Sequence, residues 1–269
     1  MIFRYLKEVI TQVWQNRVRM LRIVWFDIKI ENRNLYLGTL WKIIAPLIQL
    51  GIFWFAFGIG IRGGAPIDGI PFLAWLLAGL VPWSFISRGI TSGATSISSK
   101  AGVIFKIKYP VATIPIGTIL MTLYDNLIML GIMTIIYLLH GIFPSLYWLN
   151  LVYYNIFIFA FLASLALVTS VIVQLAKDFG RLISSLLQLL MFFTPIFWQE
   201  GYIPEWARPV FAMNPVRYVV NGYRRALLFQ GNFYERPLPM AFFWGMTLGL
   251  LILGCQLQRK YATRLIDWM

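Results

Sequence analysis

Leu146-Tyr-Trp-Leu-Asn150-Leu-Val-Tyr-Tyr-Asn155-Ile-Phe-Ile-Phe-Ala160-Phe-Leu-Ala-Ser-Leu165-Ala-Leu-Val-Thr-Ser170-Val-Ile-Val-Gln-Leu175-Ala176 decides the fold: 31 consecutive residues without an ionisable acid, base or histidine. About 20 apolar residues at 1.5 Å each cross a hydrocarbon core about 30 Å thick. The run exceeds that, so it should tilt or project beyond the bilayer. Further apolar runs occupy 43–61, 70–87, 117–139, 182–199 and 240–258. Six spans are therefore predicted, in an all-α integral membrane protein with one transmembrane domain over 1–269.

Composition agrees. The chain has 269 residues, 59% hydrophobic and only 12% charged. A soluble domain carries about 25% charged residues. These values exclude a disordered chain, a secreted disulfide scaffold and an ordinary soluble enzyme. Cys255 is the one cysteine and His140 the one histidine. That excludes an internal disulfide and any cysteine-built or multi-histidine metal site. No metal site and no catalytic residue is expected. The amino terminus, 1–31, is charged and has no apolar core of the signal-peptide kind.

The 23 Lys+Arg against 10 Asp+Glu give a net charge of +13. In a membrane protein such an excess marks the cytoplasmic face rather than a nucleic-acid partner. With six spans both termini share a side. If that side is cytoplasmic, 17 of the basic residues lie inside and 6 outside. Five of those six, Arg208, Arg217, Arg224, Arg225 and Arg236, fall between spans five and six. The segment 200–237 is too polar to span and too apolar for a simple loop, and Asn214-Pro215 breaks its middle. It reads as a re-entrant helical hairpin before the last span, tolerable at membrane depth if protein covers its backbone.

Residues 1–33 place Phe3, Leu6, Ile10, Val13, Leu21, Val24 and Ile28 at three- and four-residue steps, with basic residues mostly elsewhere. That is an amphipathic helix lying in the membrane interface. Between spans two and three, 91–108 is small, polar and basic. A short helix near 96–105 is predicted there, exposed to the cytosol.

Two tempting motifs fail on context. Gly58-Ile-Gly60-Ile-Arg-Gly63 fits a dinucleotide-binding pattern but ends a span instead of joining strand to helix. Asp178-Phe179-Gly180 spells a kinase triplet without its companions. No Gly-Lys pair exists for a phosphate-binding loop, so the chain cannot hydrolyse ATP by that mechanism alone. Asp125 is the one acidic residue inside a predicted span. Ionisable groups at such depth face a partner or a passage. Arg88 is the candidate partner, and a structural role is expected. Trp54, Phe57, Trp75, Phe192, Phe193 and Phe197 lie within spans one, two and five. They either pack, or line a pathway where aromatic faces stack on sugar rings.

One stretch carries a resemblance: Phe57-Gly-Ile-Gly-Ile-Arg62-Gly-Gly-Ala-Pro66-Ile-Asp68-Gly-Ile-Pro71-Phe, followed by Trp75-Leu-Leu-Ala-Gly79-Leu-Val-Pro82-Trp83. It resembles the teichoic acid translocation permeases, membrane subunits of type-2 ABC exporters for lipid-linked polymers. Tyr36-Leu-Gly38-Thr-Leu-Trp41-Lys-Ile-Ile-Ala-Pro46, Phe105-Lys106-Ile-Lys108-Tyr-Pro110, and Asp178 with Thr194-Pro195-Ile196 are similar to the wider polysaccharide-export class. The resemblance implies a homodimer in the plasma membrane, with both termini cytoplasmic, bound to two copies of a separate ABC ATPase that holds ATP and Mg. This chain would carry no cofactor of its own. It implies that Ser98, Lys100, Val103, Ile104, Phe105 and Lys106 form a coupling segment seated on the ATPase. The implied substrate is a teichoic acid on an undecaprenyl pyrophosphate carrier. Arg33, Lys42 and Lys108 form a basic cytoplasmic rim suited to that head group. Membrane lipids are the other expected contact, and nucleic acid is not.

Two rivals stand beside this reading. A membrane enzyme acting on polyprenyl phosphate would need clustered carboxylates or histidines, and the ten acidic residues here are scattered. A permease for another lipid-linked glycan, such as an O-antigen, or for a small drug differs from the teichoic acid reading only in the stretch at 57–83.

Overall fold

The computed structural model describes residues 2–31, 33, 36–100 and 110–267, with side chains described from 6 to 261 within those ranges. Among the described residues there are ten α-helices and no strand. They are α1 (Ile2–Gln15), α2 (Arg17–Glu31), α3 (Trp41–Phe53), α4 (Phe72–Ser99), α5 (Thr113–Leu139), α6 (Asn150–Leu175), α7 (Asp178–Phe193), α8 (Arg208–Ala212), α9 (Pro215–Leu227) and α10 (Pro237–Asp267). A 3₁₀ turn before α3 and a π-helical segment, Trp54–Ile61, after it make one continuous helix over Gly38–Ile61.

Five helical segments are long and apolar enough to cross a membrane: Gly38–Ile61, Phe72–Ser99, Thr113–Leu139, Leu146–Leu175 and Pro237–Tyr261. The run predicted at 182–199 differs. There α7 has 16 residues, about 24 Å of helix, short of a full crossing. Pro195 explains the stop. It disfavours helical backbone at the residue before it, and Thr194 is extended, with φ −95° and ψ 136°.

The second span is longer than predicted. α4 runs 28 residues to Ser99, about 42 Å. Residues 91–99, expected to be loop, are therefore its last turns, and Trp83 is a buried mid-helix residue. Of the short helix expected near 96–105, Ser96 to Ser99 belong to α4, and 101–105 lie outside the described residues.

α4 and α6 form the buried centre, with α5 and α10 packed against them. Glycines permit the approach. A Cβ on Gly89 would sit 2.5 Å from Leu162 Cδ1, and one on Gly93 2.7 Å from the Ala166 Cβ. This is the small-residue contact that lets membrane helices pack closely.

The single amphipathic helix predicted over 1–33 is two helices divided at Asn16, whose side-chain amide donates to the Gln12 carbonyl at 2.9 Å. Apolar residues occupy two faces. Val9, Met20 and Val24 are buried against α5, α6 and α10, while Trp14, Trp25 and Phe26 are exposed. α2 is thus docked on the bundle as well as shaped for an interface.

The 200–237 segment holds two short helices broken at Asn214-Pro215, as its sequence suggests. Asn214 caps α9, accepting from the Val216 N–H at 2.9 Å, and Pro215 takes the first helical position, where no N–H is needed. The Asn214 amide also donates to Thr194 Oγ1 at 3.0 Å. Gly222 lets α9 lie directly on the Tyr154 ring, 2.1 Å from where a Cβ would stand.

Candidate functional site

Lys42 stands in the first turn of α3, Arg88 on α4, Asp125 on α5 and Glu31 at the end of α2. Together they line a cavity of about 350 Å³, with Trp41, Gln49, Trp83, Ser84 and Ser87 among the other walls. Lys42 Nζ donates to Asp125 Oδ1 and to Glu31 Oε2, each at 2.6 Å. The Lys42 and Asp125 side chains are 10% and 13% exposed, that of Glu31 41%. Arg88 lies farther off, its Nη1 4.0 Å from Asp125 Oδ2, and its Nε–H donates to the Ser84 carbonyl at 3.3 Å. The Tyr124 ring centroid is 5.3 Å from Lys42 Nζ, within cation–π range.

Two cations thus face two carboxylates in a polar cleft among apolar spans. An ammonium has three donors, and two of Lys42's are occupied. An incoming anion can take the third and compete for the other two. The more exposed partner, Glu31, is the easier to displace.

The expected partner of Asp125 was Arg88; the structure puts Lys42 first and Arg88 second. Lys42 was assigned to a basic rim with Arg33 and Lys108. It is instead drawn into the cleft, while Arg33 is exposed and Lys108 lies outside the described residues. Of the coupling residues, Ser98 is exposed and donates to Gln174 Oε1 at 2.7 Å. Lys100 donates to Asp27 Oδ2 of α2 at 2.5 Å, so its acidic partner is within the chain. Val103, Ile104, Phe105 and Lys106 lie outside the described residues.

The six aromatics separate. Phe57 stacks on Phe197 with ring centroids 4.4 Å apart, and Phe192 joins them at 6.0 Å. Phe197 and Trp75 are buried, Phe197 packing on Phe57 and Trp75 lying beneath the Arg224 guanidinium. Trp54, Phe192 and Phe193 are exposed.

Sequence reading missed a second polar region, around the hairpin. Glu200 accepts from Arg217 and from Asn221, the latter at 2.5 Å. Burial alone would raise the pKa of its carboxyl; the bonds from Arg217 and Asn221, with the charge of Arg224, outweigh it and hold the group below its ordinary value. Arg224 is buried and lies over the Trp75 ring, 3.4 Å from its centroid. The five clustered arginines were the available signal; their partners were not readable. A buried amide pair, Asn126 Nδ2 to Asn155 Oδ1 at 2.6 Å, links α5 to α6 one residue from Asp125.

With this geometry in hand, comparison with known proteins is informative. The sequence model of the ABC-2 type transporter family matches residues 19–228. The chain is similar to the O-antigen export system permease protein RfbA of Myxococcus xanthus, 25% identical over 236 residues that make up 87% of each chain. It is similar also to the protein of the same name from Klebsiella pneumoniae, 25% identical over 238 residues, 87% of this chain and 89% of that one. The family match takes in the charged cleft, α4 to α7 and the hairpin helices, and this chain belongs to the ABC-2 type transporter family.

Proposed function

We propose that the chain is the permease subunit of an ATP-driven exporter that moves undecaprenyl-pyrophosphate-linked teichoic acid across the plasma membrane. As an ABC-2 type permease it is a multi-pass membrane subunit rather than an enzyme, and the ATPase is a separate subunit. The observation that carries the reading is Lys42, nearly buried yet facing a 350 Å³ cavity open to an anionic head group. On the cytoplasmic side a pyrophosphate would displace Glu31, take up the Lys42 donors and draw Arg88 toward it. Charge-assisted bonds of this kind are about twice as strong as neutral ones. Arg33 and Lys108 would gather the head group to the same rim. The protein would act as a homodimer. On the first span, Ile48 and Ile52 of α3 and Phe55 of the π-helical segment are exposed and fit a second copy or lipid.

The stretch at 57–83 supports the teichoic acid branch. The names of the relatives support a second reading, in which the polymer is an O-antigen. Reconstitution with the partner ATPase in inside-out vesicles separates them. Undecaprenyl-pyrophosphate-linked poly(glycerol phosphate) should stimulate hydrolysis and enter the lumen, and Lys42→Ala should raise its half-saturating concentration about tenfold, the ~1.4 kcal/mol within reach of one charge-assisted bond. Stimulation by a lipid-linked O-antigen alone selects the second reading. Stimulation by neither overturns both.

A further inference from the structure

A second cavity, of about 290 Å³, lies near the start of α4, between α9, the turn at 200–202, Asp68 and Trp75, whereas the α4 walls of the Lys42 cleft run from Leu80 to Arg88 in mid-helix. Trp75 and Arg88 are thirteen residues apart on α4, about 20 Å. Its floor is Arg224. This side chain is 5% exposed, and donates to the Pro195 carbonyl at 2.6 Å and the Ile196 carbonyl at 3.0 Å. Its Nε–H has no hydrogen-bond partner among the described residues. No carboxylate lies within ion-pair distance of it among the described residues. A buried cation is costly, and the nearby Glu200 is bonded to Arg217 and Asn221 instead of to Arg224. Stacking on Trp75 and the two carbonyls offset part of that, and an anion in the adjoining cavity would offset more.

The walls repeat this chemistry. Arg217 is engaged by Glu200 and Arg225 by Glu235. Arg236 lines the cavity, is exposed and makes no ion pair among the described residues. Arg224 and Arg236, neither in an ion pair among the described residues, therefore face one lining carboxylate without an ion pair, Asp68. Asp68 is held in place by a tight turn: Ile67 and Ile70 exchange backbone bonds of 2.9 and 2.8 Å, with φ of 50° at Asp68 and 78° at Gly69. Three further residues point to a sugar. Gln199 presents an amide for hydroxyls, Asn221, whose Nδ2 donates to Glu200, keeps its amide oxygen for them, and Phe229, 47% exposed, presents an aromatic face. The volume sits at the lower end of the range for small-molecule sites, enough for one monosaccharide unit.

We propose that this pocket is a subsite for a phosphorylated saccharide unit, with Arg236 and Arg224 facing the phosphate and Phe229 the sugar ring. In an exporter it would hold the polymer as it leaves the spans; only that placement rests on the functional reading above, since binding needs neither ATPase nor export. The same phosphate chemistry could come from an anionic phospholipid, and the test distinguishes the two.

The full chain in phosphatidylcholine nanodiscs is titrated by calorimetry with glucose 1-phosphate, glucose and inorganic phosphate, and again in nanodiscs containing phosphatidylglycerol. Glucose 1-phosphate should bind at least tenfold tighter than either fragment. Arg236→Gln, at an exposed residue without an ion pair, should weaken it about tenfold. Phe229→Ala should weaken glucose 1-phosphate severalfold and leave inorganic phosphate unchanged. Equal affinity for phosphate and sugar phosphate, or undiminished binding by Arg236→Gln, overturns the proposal. Loss of all sugar-phosphate binding in phosphatidylglycerol, with Phe229→Ala silent, assigns the pocket to lipid and overturns it too. Intact binding beside absent polymer export would refute the functional reading alone.

Discussion

Lys42 reaches from the first turn of α3 to place its ammonium 2.6 Å from the Asp125 carboxylate in the middle of α5, and the pair defines the charged cleft. Removing one partner of a buried pair leaves an uncompensated charge and costs about 3–5 kcal/mol, whereas replacing both is often neutral. Here Glu31 and Arg88 cushion each single loss. Lys42→Met and Asp125→Leu should each destabilise the protein, Lys42→Met more, because Asp125 then keeps only Arg88 at 4.0 Å while Lys42 without Asp125 keeps Glu31 at 2.6 Å, and the double variant should recover most of the loss. Asp125→Asn keeps a hydrogen-bonding group beside Lys42 and should retain most transport. Thermal unfolding in detergent reads the cycle. A double variant that is stable but inactive in export assigns Lys42 a role in transport; one that is stable and fully active reduces the pair to structure.

Close helix contacts make the second prediction. Gly93 and Gly222 have no room for a methyl, whereas nothing lies within 4 Å of a Cβ at Gly131. Overpacking costs about 1–3 kcal/mol. Gly93→Ala and Gly222→Ala should therefore lower the unfolding temperature, Gly222→Ala also loosening α9 from α6. Gly131→Ala should leave it unchanged or raise it. A fall at Gly131 equal to that at Gly93 would refute the packing account.

Glu200 gives the hairpin a pH dependence. Its folded pKa lies below the ordinary value of 4.5 because the bonds from Arg217 and Asn221 outweigh burial. A depressed carboxyl pKa contributes stability that is present above the unfolded value and lost as pH falls through the folded one. Hydrogen-exchange protection of α9 should stay constant at neutral pH and decline below 4.5. In Glu200→Gln, protection should be lower throughout and show no such step. A decline of the same shape in that variant would place its origin elsewhere.

Much of this architecture was legible because apolar runs and charge asymmetry are one-dimensional signals. The spans, the Asn214-Pro215 break and the solitary depth of Asp125 all follow from residue order. What escaped depends on register between helices. Lys42 looked like one of several rim cations, and only the crossing of α3 over α5 brings it to Asp125. The run at 182–199 counted as a span because its apolar residues continue past Thr194, yet Pro195 stops the helix. Arg224 looked like excess outer charge, and nothing local signals that Trp75, about 150 positions earlier, receives it.

Sidedness is checked by labelling. With both termini inside, 17 of the basic residues would lie in the cytoplasm and 6 outside, and that orientation is the expectation under test. Cys255 is buried, so the unmodified chain should react slowly with an impermeant maleimide. Cysteines at Ser98 and Pro66, both exposed, should label only from inside and only from outside, respectively. The reverse pattern at either would overturn the orientation.

The last prediction concerns how force enters. Lys100 and Asp27, 2.5 Å apart, bolt α2 to the end of α4. Beneath them Met20 and Val24 pack on α5, a Cβ on Gly117 lying 3.4 Å from Met20 Cγ. The end of α4, the start of α5 and α2 thus form one body, and the segment 101–109 joins two of its members. If the ATPase presses on that segment, as the resemblance implies, all three should move together, and with them Glu31 and the Lys42 cleft. Two variants separate docking from transmission. A buried aromatic anchor typically costs at least about 2 kcal/mol when truncated, so Phe105→Ala should weaken co-purification with the ATPase by roughly 30-fold. Lys100→Met leaves that anchor intact. It should keep the ATPase bound while lowering polymer exported per ATP, because α2 no longer follows α4. Lys260→Ala, on the exposed part of α10, should change neither. If Phe105→Ala still binds the ATPase and exports normally, the segment is not the contact. If Lys100→Met exports normally per ATP, α2 is not part of the lever.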